Sequence, residues 1–295
     1  MRALEAFSRS RSERYWNASF ATLSRGWWSV PVLQRYVDRR VGEAIAGGGQ
    51  TAPGLTDAVL TRLCGRELGL GISIGCGRGV KERRLLEAGV VRRMRLFEIS
   101  AVALDRARAD ALAEGLSDRV DCVLGDAFEM AHPAYDLVYW DHSLHHMADV
   151  DRAIAWSVAA LRPGGWLLIN DYVGPRRLQW PWSHTRKVRQ ALADIARHLP
   201  GRIARPRYRL PFESVAMAFL DPSEAPQSHL IRTSAARHTG MDLTPIGGCL
   251  LCMASLHLAM APGIEQVAAR VIDRDRRIER DGISYHAAGL WQKPA

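Results

Sequence analysis

The chain has 295 residues, 47% hydrophobic and 24% charged, which excludes a disordered or fibrous protein and leaves room for a sizeable core. Its longest apolar run, residues 249–262, is too short and too interrupted for a membrane span, and the first residues lack the apolar stretch of a signal peptide, so a cytoplasmic protein with no membrane partner is expected. The net charge of +9 rests on scattered arginines without interleaved stacking aromatics, which argues against a nucleic-acid partner, and five scattered cysteines fit a reduced compartment.

Two short helices are predicted up to about Arg40, in a stretch that carries Trp16, Trp27 and Trp28. A flexible connector, Ala46 to Gly54, leads to a helix over "LTDAVLTRLCG" ended by Gly65. From Leu68 the pattern alternates. "LGLGISIG", "MRLFEIS", "RVDCVLGDA", "YDLVYWDHS" and "GWLLINDYV" are predicted strands. The helices "VKERRLLEAG", "AVALDRARADALAEG" and "VDRAIAWSVAALRPGG" lie among them. Such alternation indicates a mostly parallel sheet covered on both faces. After Gly174 the pattern breaks into an Arg- and Pro-rich insertion, with helices predicted over "SHTRKVRQALADIARHLP" and "DPSEAPQSHLIRTSAARH". "MDLTPIGG" is a further strand, "GIEQVAARVIDRDRRIERDG" an amphipathic helix, and "SYHAAGLWQKP" the last strand. The expected fold is α/β, with a Rossmann-like, mostly parallel sheet of about seven strands, an N-terminal helical lid and a helical insertion after strand 5. The expected domains are a cap over 1–54, a cofactor-binding core over 55–173, a substrate-binding insertion over 174–240 and completion of the core by 241–295.

The stretch "GISIGCGRGVK" follows the first strand and sets glycines at 75, 77 and 79. A dinucleotide fingerprint needs a glycine where Val80 stands, and a phosphate-binding loop needs Gly-Lys-Ser/Thr where the chain has Gly79-Val80-Lys81. A nucleoside carrying an amino-acid tail in place of pyrophosphate remains, namely S-adenosylmethionine. Glu98 ends the second strand about twenty residues after the loop, where an acid can accept ribose hydroxyls. Asp126 ends the third strand, where its carboxylate or the neighbouring backbone can meet the adenine amino group or the side chain can simply cap the turn, and residues 141–146 follow the fourth strand at the sheet's carboxyl edge.

From Leu68 to Val173 the chain resembles the class I S-adenosylmethionine-dependent methyltransferases of the bacterial small-molecule type. The resemblance is carried, in order, by "GISIGCGRG", "LFEIS", "GDAF", "YDLVYWDHSLHH" and "LRPGGWLLIND". It implies cofactor contacts from Ser73, Gly75, Cys76, Gly77, Gly79, Glu98, Ile99, Asp126, Ala127 and Asp141. Such proteins often carry an acid two positions before the first glycine, to orient the cofactor's amino group. Here Ser73 stands there, so that contact is weaker, made by water or supplied elsewhere.

The cluster Asp141-His142-Ser143-Leu144-His145-His146 offers two chemistries. His142 and His145 have a metal-ligand spacing, but the pattern recurs in metal-free enzymes of this kind, so no metal is expected. An imidazole near neutral pKa suits a general base, with His145 first, then His142 and Asp141, while one histidine of the pair packs beneath the loop. His146, Asp171, Tyr172, Trp180 and Trp28 are candidate substrate contacts. Asp171 could instead satisfy backbone groups, and the aromatics could instead be core. Cys249 and Cys252 are more simply buried small residues than a zinc pair.

The expected function is methyl transfer by direct displacement to a small-molecule acceptor, natural-product or sugar-containing, at oxygen with a histidine base; the product is S-adenosylhomocysteine. Two alternatives stay open: an RNA methyltransferase, for which the basic patch Arg202–Arg209 speaks, and a non-catalytic protein that binds the same cofactor. A homodimer also stays open.

Overall fold

The computed structural model describes residues 2–21, 26–130, 134–200 and 221–295. Two helices come first, α1 (Arg2–Ala21) and α2 (Pro31–Ala46). Pro31 opens α2, where its fixed φ suits a helix and its missing N–H costs nothing. The helix runs past Arg40 to Ala46. It is followed by α3 (Leu55–Arg62), β1 (Leu68–Ile74), α4 (Val80–Glu87), β2 (Val91–Glu98), α5 (Ala101–Ala113), β3 (Val120–Leu124), β4 (Tyr135–Asp141), α6 (Val150–Ala160) and β5 (Leu161–Tyr172). Then come α7 (Trp182–Ala196), α8 (Ile231–Thr239), β6 (Thr244–Gly247), α9 (Cys249–Met253), α10 (Ser255–Ala259), α11 (Ala268–Arg280) and β7 (His286–Gln292).

The seven strands form one sheet in the order β3-β2-β1-β4-β5-β7-β6. The first five are parallel, β7 is antiparallel to β5, and β6 is antiparallel to β7. The chain moves outward from β1 through β2 to β3, then returns to place β4 on the other side of β1. The sheet therefore changes winding direction between β1 and β4, and a crevice opens at their carboxyl ends. The loops after β1, β2, β4 and β5 all reach this edge. So does His286, because antiparallel β7 starts where its neighbours finish.

The central strands are largely apolar because successive side chains enter different cores. Leu137 and Tyr139 pack with Ile45 of α2, Val59 of α3 and Leu85 and Leu86 of α4. Val138 and Trp140 pack with Ile154 of α6 and Ile231 of α8. Each fully buried aliphatic side chain contributes roughly 1.5–3 kcal/mol relative to exposure. The indole of Trp140 is satisfied by donating to Ser157 Oγ at 2.9 Å. A third core joins Tyr172 and Trp180 to Val188 and Leu192 of α7, Leu250 of α9 and Val271 of α11.

Two local expectations are corrected. Residues 221–230 are turns and a short 3-10 segment, and the predicted helix begins only at Ile231. Pro222 and Pro226 explain this, since each lacks an N–H and pushes the residue before it out of the helical region. Strand β5 begins at Leu161, not Gly165, because a register shift absorbs Pro163-Gly164-Gly165 and Gly164 takes φ +75°. The apolar run from Cys249 forms the short helices α9 and α10, for which periodicity gives no signal in so short a stretch. The basic patch Arg202–Arg209 lies outside the described residues. Among the described residues, no helix is long and apolar enough to cross a membrane.

Candidate active site

Gly75, Gly77 and Gly79 all take positive φ, at +67°, +56° and +63°. Packing also requires two of them. A Cβ on Gly75 would lie 2.8 Å from Ser143 Cβ, and one on Gly79 would lie 2.8 Å from Leu96 Cδ1. The loop thus touches the exits of both β4 and β2. Glu98, only 6% exposed, clamps it. Its Oε2 accepts the Gly77 N–H at 2.8 Å, and its Oε1 accepts from Ile99 at 2.8 Å and Ser100 at 3.0 Å. Burial raises the pKa of Glu98, and those three N–H groups oppose the rise. A carboxylate offers about four acceptor positions, so about one is left for a ligand hydroxyl. Asp126 accepts from Phe128 N at 2.9 Å and caps the turn that begins at the buried Ala127. Burial pushes the Cys76 thiol well up, so it is no nucleophile.

Beside the loop lie two carboxylates. Ser73 donates to Glu82 Oε1 at 2.7 Å, and both side chains are buried. Asp141 is paired with Lys81 at 2.7 Å and accepts from Asn170 Nδ2 at 2.6 Å. Burial would raise Asp141, but Lys81, His142 and the Asn170 amide together outweigh it and hold the carboxyl below its ordinary range.

Asp171, at the end of β5, is fully buried and saturated with donors. It accepts from Ser143 N at 3.0 Å, Leu144 N at 2.7 Å, Tyr172 N at 2.7 Å and His145 Nδ1 at 2.5 Å. This leaves Asp171 no surface for a substrate. It anchors the turn after β4 and fixes the tautomer of His145, whose Nε2 then carries the lone pair. Burial opposes the imidazolium, but Asp171 prevails and the His145 pKa is raised. The His146 ring lies 4.0 Å from that of His145, and its Nδ1 bonds the Ser223 carbonyl at 3.2 Å. The metal-type spacing of His142 and His145 does not bring those two together. One ligand atom each of His145, His146 and Glu224 lies within 4.8 Å of the others, a set able to hold a cation only by engaging His145 or its neighbour.

His142 turns away, with a left-handed φ of +53°, toward His286 at 5.4 Å between rings. Burial lowers the pKa of both, that of His286 to about 3, so both are neutral. They line a cleft with Tyr36, Asn170 and Leu251. The buried Asn170 Oδ1 in this cleft has no partner among the described residues. Two expected substrate contacts prove to be core: Tyr172 is 4% exposed with its hydroxyl on the Pro175 carbonyl, and Trp180 is 6% exposed. Trp28 is on the surface, edge-on to Trp27. Helix α1 lies across the histidines. Trp16 packs edge-on against His146 at 5.1 Å, Ser12 donates to Asp221 at 3.0 Å, and Asn17 Oδ1 accepts from Ser100 Oγ at 2.7 Å.

Sequence reasoning missed Glu82, Lys81, Asn170 and His286. For Glu82 a signal existed, because it shares a helix face with Leu85 and Leu86 and so had to be buried.

Residues 72–169 match the family model described as a methyltransferase domain. A 27-O-demethylrifamycin SV methyltransferase of Amycolatopsis mediterranei (strain S699) is 34% identical over 129 residues, 42% of this chain and 47% of that protein. Methyltransferase GfsG of Streptomyces halstedii is 34% identical over 104 residues, 35% of this chain and 37% of that protein. The aligned segments thus span less than half the length of either relative. Among solved structures, the mitomycin 7-O-methyltransferase MmcR is 28% identical over 37% of this chain and 32% of that one, with a TM-score of 0.33. With glycines at the switch point of a sheet of this order and an acid closing the second strand, residues 72–169 form a methyltransferase domain of the class I S-adenosylmethionine-dependent family.

Proposed function

We propose that the chain transfers a methyl group from S-adenosylmethionine to a hydroxyl of a small natural product, with His145 as general base. The observation that carries this reading is the buried Asp171–His145 pair at the carboxyl edge of β4 and β5, beside the glycine loop. The name of the rifamycin relative, which specifies an oxygen position, supports it.

S-adenosylmethionine supplies a methyl on a sulfonium, already activated for displacement. The protein's part is alignment and one proton. Glu98 fixes the loop through Gly77 and offers its remaining acceptor position to a ribose hydroxyl. Asp126 and Ala127 lie at the end of β3, on the adenine side. His145 Nε2 takes the proton as the acceptor oxygen attacks, and Asp171 stabilises the imidazolium that forms. His146, Trp16 and residues 221–224 close over the pair and keep water out. The described parts of the insertion, residues 174–200 and 221–240, together with the cleft beside His142, supply the acceptor pocket.

Methyl transfer to hydroxylated natural products, followed with a methyl-labelled cofactor, tests the reading. His145→Gln should bind S-adenosylhomocysteine within about threefold of the wild type, yet lose about 10²-fold or more in turnover. Unchanged turnover would remove His145 as the base. Label appearing in RNA, with none in small acceptors, would favour a nucleic-acid substrate instead.

A further inference from the structure

We propose that Glu82 supplies the carboxylate that receives the α-ammonium of the cofactor, in the place where strand β1 carries Ser73. This deepens the methyltransferase reading above and rests on it.

Three carboxylates border the glycine loop, and two are already engaged. Glu98 is occupied by three backbone N–H groups. Asp141 is neutralised by Lys81 and bonded by Asn170. Glu82 is different. It is 3% exposed and holds the Ser73 hydroxyl, yet among the described residues no basic group stands within ion-pair distance of it. It stands in the first turn of α4, directly after Gly79, so the loop that must hold the cofactor leads straight into it. The positive end of the helix tolerates an anion there. A buried carboxylate without a cation is costly, and burial pushes its pKa up to about 7. A primary ammonium delivered by the ligand would complete the pair.

The register explains how an acid from a helix can do the work of one from a strand. Ser73 lies between Leu96 of β2 and Tyr139 of β4, at the centre of the sheet. Its short side chain leaves room above it, and Glu82 reaches down from α4 to fill that room. The charge therefore sits at the strand position although the residue there is neutral. The amino-acid tail of the cofactor needs a cation-binding group at one point, and Glu82 is the carboxylate left to provide it.

Calorimetry on the full chain at pH 8 tests this with two probes. S-adenosylhomocysteine carries the amino-acid tail, whereas 5′-methylthioadenosine has the same nucleoside and sulfur without it. Glu82→Gln keeps an oxygen for the Ser73 hydroxyl and removes only the charge. It should weaken S-adenosylhomocysteine at least about tenfold. It should leave 5′-methylthioadenosine within about twofold, which also shows that the variant is folded. Adding Ser73→Asp to Glu82→Gln should restore most of the lost affinity. Undiminished S-adenosylhomocysteine binding by Glu82→Gln overturns the proposal, and so does an equal loss for both probes. If the wild-type chain binds neither probe, the methyltransferase reading falls with it; if it binds both, only the role of Glu82 is at stake.

Discussion

Glu82 and His145 are both buried titratable groups, and each gives the protein a distinct response to pH. The Glu82 carboxyl has an ordinary pKa of 4.5 and is raised to about 7 by burial. Between those values the unfolded chain is ionised while the folded one stays protonated, so stability falls as pH rises from 4.5 to 7. Above pH 7 the full deficit remains. Glu82→Gln removes the group and should therefore melt a few degrees higher than the wild type at pH 8 without ligand, with no advantage near pH 4. Melting curves across that range check this, and a wild type at least as stable at pH 8 would contradict it. The residue thus trades stability for binding. As the proposed base, His145 acts in the opposite sense, because a general base works in the neutral form. Asp171 raises its pKa, so turnover should climb with pH through that raised value. Asp171→Asn should move the rising limb to lower pH and cut the plateau about 10²-fold, as the tautomer is no longer held. A limb that does not move would mean that His145 is not the titrating base.

At the scale of elements, the glycine turn into α4 is closely packed. Gly79→Ala would place a side chain at φ +63° with its Cβ 2.8 Å from Leu96 Cδ1. Left-handed backbone alone costs roughly 1–2 kcal/mol, and the clash adds to it, so denaturant unfolding should show a loss of about 2 kcal/mol or more. A loss below about 0.5 kcal/mol would mean that the turn relaxes freely. That glycine could be found in the sequence because its neighbours on both sides are periodic. The carboxyl halves of β1 and β2 and nearly all of β4 are buried and were legible from their apolar residues, and α4 and α5 as the helices between them. What escaped was set by contacts distant along the chain. His286 reaches the carboxyl edge only because β7 runs antiparallel, and nothing in "SYHAAGLW" encodes that direction. Tyr172 and Trp180 looked like ligand contacts because they follow β5, but packing against α7, α9 and α11 takes them into a core. Asp171 was placed at the carboxyl edge with two roles open, and in the structure it accepts from four donors. The missing acid at Ser73 was visible as a gap; that Glu82 fills it depends on how α4 lies over β1.

For the molecule as a whole, the candidate site is assembled from stretches distant in sequence: α1, the glycine loop, the turns after β4 and β5, and residues 221–224. Among the residues whose side chains are described, the three hydrophobic cores take none from α1. Three of its contacts point at the site: Asn17 to Ser100 beside Glu98, Ser12 to Asp221, and Trp16 to His146. An element that adds little to the core but covers a reacting centre acts as a cover. A chain lacking residues 1–21 should therefore fold and retain S-adenosylhomocysteine binding within about tenfold, since one hydrogen bond near Glu98 is worth on the order of 1 kcal/mol. Methyl transfer should fall much further, because water then reaches His145 and the acceptor is no longer held against it. Asn17→Ala separates the two effects, for it weakens docking on Ser100 while leaving Trp16 over His146. It should raise KM with kcat nearly unchanged, whereas removal of the whole helix should lower kcat. A truncated chain that transfers methyl groups at the wild-type rate would show that α1 has no part in the site, and the histidines would then have to exclude water with β4, β5 and residues 221–224 alone.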